Sequence, residues 1–239
     1  MRPKIHRTVG RCVIIRPMRR FLTIVSTALI TAGIVVLADV GVTLAWEEPV
    51  SSIYATIQQQ RAEGELDDLE ASFLEDHPPP DVQDLGNPRA ARRLANEFEP
   101  EITTGEAIGR IEVPAIDVDV VVVQGTDEAT LQKGPGHYPD TGLPGQRTTI
   151  GIAGHRTTYL APFRNINELQ SGDEVILRMP YGEFTYEVEK TEIVEPTEVD
   201  IVREVGHERV VLTACHPLYS AAQRYAVFGR LTEIELTQG

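Results

Sequence analysis

The sequence predicts a mainly β protein: a closed or nearly closed barrel of seven or eight short strands with short helices, behind one apolar N-terminal helix and a polar, partly helical stalk. Three observations carry this reading. Residues 21–46 form an apolar run interrupted only by Asp39, and residues 47–105 are polar and rich in Glu, Asp and Gln. From residue 106 onward, short runs of Val, Ile and Thr are separated by Gly, Pro and Asp clusters, the punctuation expected of many short strands.

Phe21 to Ala38 has no charged residue, and Val40 to Trp46 extends the run beyond Asp39. At about 1.5 Å rise per residue, a helix over 21–46 can cross a hydrocarbon core of about 30 Å. A cleaved secretory signal is the alternative, but its apolar region is usually only about 7–15 residues long, so an uncleaved transmembrane anchor is the expectation. Six Arg and one Lys lie in residues 1–20 with no acid, whereas Glu47 and Glu48 follow the run. The positive side stays cytoplasmic, making 1–20 a cytoplasmic basic tail and placing everything after the span outside the cell membrane.

The chain has 22 basic and 36 acidic residues; beyond position 46 the counts are fifteen and thirty-five. A surface this acidic repels phosphate backbones, which excludes nucleic acid as a partner. Cys12 and Cys215 fall on opposite sides of the span and cannot pair within one chain. A lone thiol in an exported domain calls for a functional explanation, because oxidising compartments tend to pair cysteines.

Within 47–105, Ser51 to Leu74 and Arg89 to Phe98 have helix-forming composition, and Pro78 to Pro80 separate them. This segment is expected to be a spacer between the span and a folded barrel at 106–239, although its helices could instead pack on the barrel. Strands are expected at 107–113, 118–124, 147–153, 174–179, 182–192, 209–214 and 224–235, with Tyr181-Gly182 as a tight hairpin connection. Short helices fit at 128–133 and 162–169.

A thiol nucleophile needs a base or cation beside it and donors for the oxyanion of acyl transfer. Cys215 ends the run Val210-Val211-Leu212-Thr213-Ala214 and is followed by His216-Pro217, where proline stops ladder pairing. The plain alternative is a buried structural cysteine. His155 follows the strand Thr149 to Ala153 through Gly154, which permits a sharp turn; the alternative is an ordinary surface-turn histidine. His137 and His216 remain rivals as the base, although His216, adjacent to Cys215, points the other way in extended chain. Arg224 opens the last strand; in an antiparallel hairpin it lies beside Cys215, where its fork of donors could brace an oxyanion.

Gly-His-Arg-Thr-Thr-Tyr at 154–159, Leu-Thr-Ala-Cys-His-Pro at 212–217, and Arg224 in a strand ending Phe-Gly-Arg-Leu resemble the sortases over 106–235. With Gly-Pro-Gly-His-Tyr-Pro at 134–139, the motifs are similar to the actinobacterial class E, or housekeeping, branch. The resemblance implies an eight-stranded sortase-type barrel with His155, Cys215 and Arg224 as its triad. Thr213, Ala214, His137 and Tyr138 are then expected along the substrate path. It also implies attack on the Thr–Gly carbonyl of a sorting signal of the Leu-Pro-x-Thr-Gly or Leu-Ala-x-Thr-Gly kind, a thioacyl enzyme, and transfer to a peptidoglycan-precursor amine.

The family usually has Thr immediately before the nucleophile, and Ala214 stands there instead. No metal or other cofactor is expected; the acidic stretches permit calcium, as in some sortases, but carry no specific motif for it. A pilus-type sortase would carry a lid with an Asp-Pro-aromatic motif, and an L,D-transpeptidase a Ser-x-Gly-Cys arrangement; neither is present. A non-catalytic anchored barrel that binds a partner is the remaining alternative.

Overall fold

A computed structural model describes residues 15–45, 49–78, 80 and 85–237. The chain divides into two compact units, Met1–Trp46 and Glu47–Gly239. Cys12, Trp46 and most of the basic tail lie outside the described residues. In the first unit, α1 spans Ile15–Ala45, and within it Arg19–Gly41 is long and apolar enough to cross a membrane.

The second unit is a closed eight-stranded barrel in the order β1-β2-β3-β4-β7-β8-β6-β5. Its strands are β1 Ala107–Val113, β2 Val118–Gln124, β3 Gly136–His137, β4 Thr149–Gly154, β5 Glu174–Met179, β6 Gly182–Val194, β7 Arg209–His216 and β8 Gln223–Leu236. The pairings β2–β3 and β4–β7 are parallel, and the rest are antiparallel. Closure leaves no full-length edge to template aggregation.

Two strands differ informatively from expectation. β4 begins at Thr149 rather than Arg147, because Arg147 has φ 65° and donates its N–H to Glu208 Oε2 at 2.8 Å instead of to a ladder. β3, only two residues long, carries no periodicity to read, and its existence depends on β2 and β4 on either side. The β5–β6 connection is Pro180-Tyr181 rather than Tyr181-Gly182, since Met179 pairs with Gly182. The short helices are also trimmed, to α4 at Glu128–Leu131 and one 3-10 turn at Ile166–Glu168.

The expected spacer is part of the folded unit. α2 (Pro49–Asp76) lays Ala55, Gln59, Ala62, Leu66 and Phe73, a helical stripe, against the barrel. Gln59 substitutes for a missing strand: its amide donates to Val121 O (3.1 Å) and Lys133 O (2.8 Å), and its Oε1 accepts from Val121 N (2.8 Å). β2 pairs with β3 only at Val123 and Gln124, so this one side chain satisfies the uncovered backbone of Val121.

α3 (Pro88–Phe98) starts with Asn87 accepting from Arg89 N and Pro88 in the first turn, and buries Ala91, Leu94, Ala95 and Phe98. Phe98 sits 5.4 Å from Phe73 and 5.6 Å from Tyr181, closing one aromatic cluster between α2, α3 and the β5–β6 turn. Each such buried ring contributes about 1.5–3 kcal/mol, which is why the segment packs instead of hanging free.

Candidate active site

Alternation along three neighbouring strands decides which side chains share a face. In β7, Val210, Leu212 and Ala214 enter the barrel core; in β4 Ile150 and Ile152 do so, and in β8 Val227 does, with Tyr225 packed against them. The opposite parity, Thr213 and Cys215 in β7 with Arg224 and Ala226 in β8, therefore lies on the outer face. Cys215 is paired with Arg224, and Thr213 with both Ala153 and Ala226. Gly154 is paired with Ala214, so His155, the next residue, leaves β4 level with Cys215. The fold thus brings all three expected triad residues to one pole, on three adjacent strands.

Gly154 is required for packing rather than for a turn: a Cβ there would meet the Phe163 ring at 2.4 Å. The segment after it folds back, with Phe163 N donating to His155 O at 3.0 Å. Tyr159, Leu160 and Ala161 all have positive φ (52°, 65° and 43°), a left-handed stretch that costs non-glycine residues energy. It sets the Tyr159 ring 5.2 Å from the His155 ring, and Tyr54 of α2 packs edge-on to Tyr159 at 6.4 Å.

His155 is half-buried, and its Nε2 is buried without a hydrogen-bond partner among the described residues. Burial lowers its pKa below 6.5, and the nearby Glu128 carboxylate opposes that shift. Cys215 is a free thiol, half-buried. Arg224 uses Nη1 on two backbone carbonyls, Ala221 O and Gln223 O, each at 3.0 Å. Tethering the guanidinium at one nitrogen in this way restrains it where β8 begins.

The expected substrate-path residues separate. Tyr138 rests on Gly151, where a Cβ would meet its ring at 2.6 Å, and its hydroxyl shares a 2.9 Å hydrogen bond with Thr213 Oγ1. Thr213 is 2% exposed, and that bond occupies its hydroxyl. Ala214 belongs to the barrel core, and a hydroxyl at its Cβ would be buried on the far side of β7 from the thiol.

His137 does not line an entrance. Paired with Ile152, it shares that residue's inward face, is 3% exposed, and has Nδ1 2.8 Å from Gln124 Oε1 and Nε2 2.9 Å from Gly142 O. Burial lowers its pKa. His216 has the core-side parity, and its Nδ1 faces Arg156 at 3.4 Å. Among the described residues no group of three or more His, Cys, Asp or Glu side chains converges on a metal site.

A sortase domain model matches residues 111–232, about half of the chain. The chain belongs to the sortase family. It is 41% identical over 138 residues to Sortase D of Bacillus subtilis, spanning 56% of this chain and 67% of that protein. It is 28% identical to Sortase SrtE1 of Streptomyces coelicolor over 158 residues, 59% of this chain and 44% of that one.

Among solved structures, Sortase E1 of S. coelicolor with a tripeptide in its active site superposes with TM-score 0.54 at 25% identity, covering 56% of this chain and 93% of that one. A sortase E of Streptomyces avermitilis gives 0.52 at 30%, covering 56% and 93%. This sortase is a cysteine transpeptidase with the eight-stranded barrel of the family, and the family implies sorting-signal substrates. Its relatives include both D and E sortases.

Arg156 was not singled out from the sequence as a site residue. It stands in the Gly-His-Arg motif immediately after His155, and the residue is 5% exposed. It bonds the carbonyl of Cys215 itself at 3.3 Å. The motif contained the signal; only the fold shows that the side chain turns inward toward β7.

Proposed function

We propose that Cys215 is the nucleophile of this sortase, His155 its proton carrier and Arg224 its oxyanion donor. The observation that supports this reading is the register: Cys215 faces Arg224 across β7–β8, and His155 leaves the adjoining strand level with the thiol. In this reading His155 takes the proton of the Cys215 thiol as the sulfur adds to the carbonyl carbon at the Thr–Gly bond of a sorting signal. The Arg224 guanidinium stabilises the resulting oxyanion. Collapse of the tetrahedral species breaks the C–N bond, and His155 delivers a proton to the departing glycine amine. The imidazole then takes a proton from an incoming cell-wall amine, whose nitrogen displaces the sulfur and frees the thiol.

The outer-face strip of Ala153, Thr213 and Ala226 is made of small side chains, with Tyr138 on one flank. The sorting motif is Leu-Pro-x-Thr-Gly or, following the E relatives, Leu-Ala-x-Thr-Gly. The apolar helix α1 acts as an uncleaved anchor, with Arg19 and Arg20 cytoplasmic and the barrel outside. In this reading residues 47–105 join the anchor to the catalytic barrel at 106–239.

Cys215→Ala tests the assignment. Incubated with either sorting peptide and an amine acceptor, the variant is expected to give neither ligated product nor a thioacyl adduct by intact-mass measurement. Product at a wild-type rate would overturn it. Comparing the two peptides with the wild-type protein separates Pro from Ala at the second position.

A further inference from the structure

Between His155 and Phe163 the chain reads Arg-Thr-Thr-Tyr-Leu-Ala-Pro with no glycine, yet Tyr159, Leu160 and Ala161 all take left-handed backbone angles. Such angles are routine only for glycine, and three in succession cost energy that the surroundings must outweigh. Bonds that close the loop do so. Ala161 N donates to Thr158 O at 2.9 Å, Arg164 N to Ala161 O at 2.8 Å, and Phe163 N to His155 O at 3.0 Å. Ala161 and Phe163 are buried, so their packing pins the reversal that turns Tyr159 back onto the imidazole.

The imidazole has little else to orient it. Among the described residues no hydrogen bond holds either ring nitrogen of His155. A proton carrier is ordinarily oriented by a third group bonded to its ring. Here the Tyr159 ring stands in that place, with ring centroids 5.2 Å apart and planes tilted by 39°. A ring packed in this way limits rotation of the imidazole and leaves both nitrogens free for proton transfer.

Tyr159 is braced in turn by α2. The Tyr54 ring meets it edge-on, at 6.4 Å between centroids and 70° between planes. Tyr54 is 43% exposed, but its neighbour Ala55 is buried. Gln59, little more than one helical turn on, is bonded to Val121 and Lys133. The start of α2 is thereby fixed to the barrel, and Tyr54 with it.

We infer that Tyr159 is a positioning residue for His155 and that Tyr54 of α2 holds it there, so the helix preceding the barrel supports the active site. This rests on the reading of His155 as proton carrier. Orientation of the imidazole governs proton transfer and not peptide binding, so loss of the support should lower kcat and leave the KM for the peptide near wild type.

The test uses the full chain in detergent micelles, with a sorting peptide and an amine acceptor, and follows the His155 ring protons by NMR. Tyr159→Ala is expected to lower kcat roughly tenfold and to shift those resonances, because a packed aromatic ring is gone. Tyr159→Phe keeps the ring and should recover most of the rate. Tyr54→Ala leaves Tyr159 in place but unbraced, and should lower kcat by roughly threefold, the modest effect of one aromatic pair. Since Tyr54 acts through Tyr159, the double alanine variant should be no slower than Tyr159→Ala alone.

A wild-type kcat in Tyr159→Ala would overturn the inference, as would Tyr159→Phe no faster than Tyr159→Ala. A double variant slowed by the product of the two single effects would overturn the link through Tyr159. Tyr54 is exposed enough for its alanine variant to fold whatever becomes of Tyr159→Ala. Tyr54→Ala with wild-type kcat and unmoved His155 resonances would therefore remove α2 from the site. The proton-carrier assignment fails separately, through ligation at a wild-type rate by His155→Ala.

Discussion

At its N-terminal end β7 begins beside Glu208, a carboxylate only 5% exposed and fully hydrogen-bonded; at its C-terminal end it delivers Cys215 among polar groups that are not. Glu208 accepts from Gly145 N and Arg147 N at 2.8 Å each and from the Tyr186 hydroxyl at 2.9 Å. Arg209, next to it, is also buried. It is bonded to Thr149, Ile201 and Arg203, lies over the Phe228 ring at 5.3 Å, and feels the carboxylates of Glu204, Glu189 and Glu192. At the other end, among the described residues, the His155 Nε2 has no partner and the Arg156 guanidinium hydrogen-bonds only neutral acceptors. Most buried polar groups are satisfied, and Thr148 Oγ1 beside the start of β7 also lacks a partner among the described residues, so what sets the other end apart is that its unpartnered group is titratable. One strand thus carries a structural end and a chemical end.

The comparison breaks if the two ends respond alike to substitution. The largest expected effect is at the chemical end: Arg224→Ala should reduce kcat/KM with a sorting peptide by about 10²–10³-fold. Its melting temperature should hardly move, because its bonds are to nearby carbonyls at a partly exposed position. Arg224→Lys should recover only part of the rate, since the fork is lost. A near-wild-type rate for the lysine variant would show that charge alone suffices.

Glu208→Gln should do the reverse, losing about 1–3 kcal/mol of stability, because an amide cannot accept at both oxygens. The melting temperature should fall by several degrees while kcat stays near wild type. Burial raises the Glu208 pKa above 4.5, the donors from Gly145, Arg147 and Tyr186 opposing it. A carboxyl that binds its proton more tightly when folded contributes stability that is complete below pH 4.5 and is lost as pH rises through its raised pKa. Melting curves from pH 4 upward should show that decline in the wild type and not in the glutamine variant.

The sequence is legible where period and chemistry are local. β1, β2 and β5 match their expected spans, because alternating or continuous apolar runs between turn residues need no outside information. Cys215 opposite Arg224 was also readable, as a hairpin's geometry follows from the lengths of its strands and connection. The packing of α2 was not, because its buried stripe is built from Ala55, Gln59 and Ala62 as much as from Leu66 and Phe73, and reads as polar. Motif resemblance alone puts His137 and Ala214 near the substrate, yet inward parity decides where they point, and that parity is set by partners distant in sequence. Arg156 was missed for the same reason: a charged residue after a strand end reads as solvated until β7 and the 3-10 turn enclose it.

The smallest expected effect sharpens the description of the chemical end. His155 is pulled below its ordinary pKa by burial, and the exposed Glu128 at the start of α4 pulls it partway back. The proton that His155 must hold to release the glycine amine is lost as pH rises through that lowered pKa. Glu128→Gln removes the opposing field, so the imidazole should titrate at lower pH still. An NMR titration of the His155 ring should place both midpoints below 6.5, the variant's lower, and the gap should shrink in high salt because the field crosses solvent. At pH 7 the variant should transpeptidate about two- to threefold more slowly, in keeping with the modest strength of an exposed charge. A variant midpoint equal to or above that of the wild type would mean that Glu128 exerts no field on this imidazole, leaving burial as the sole force setting its protonation.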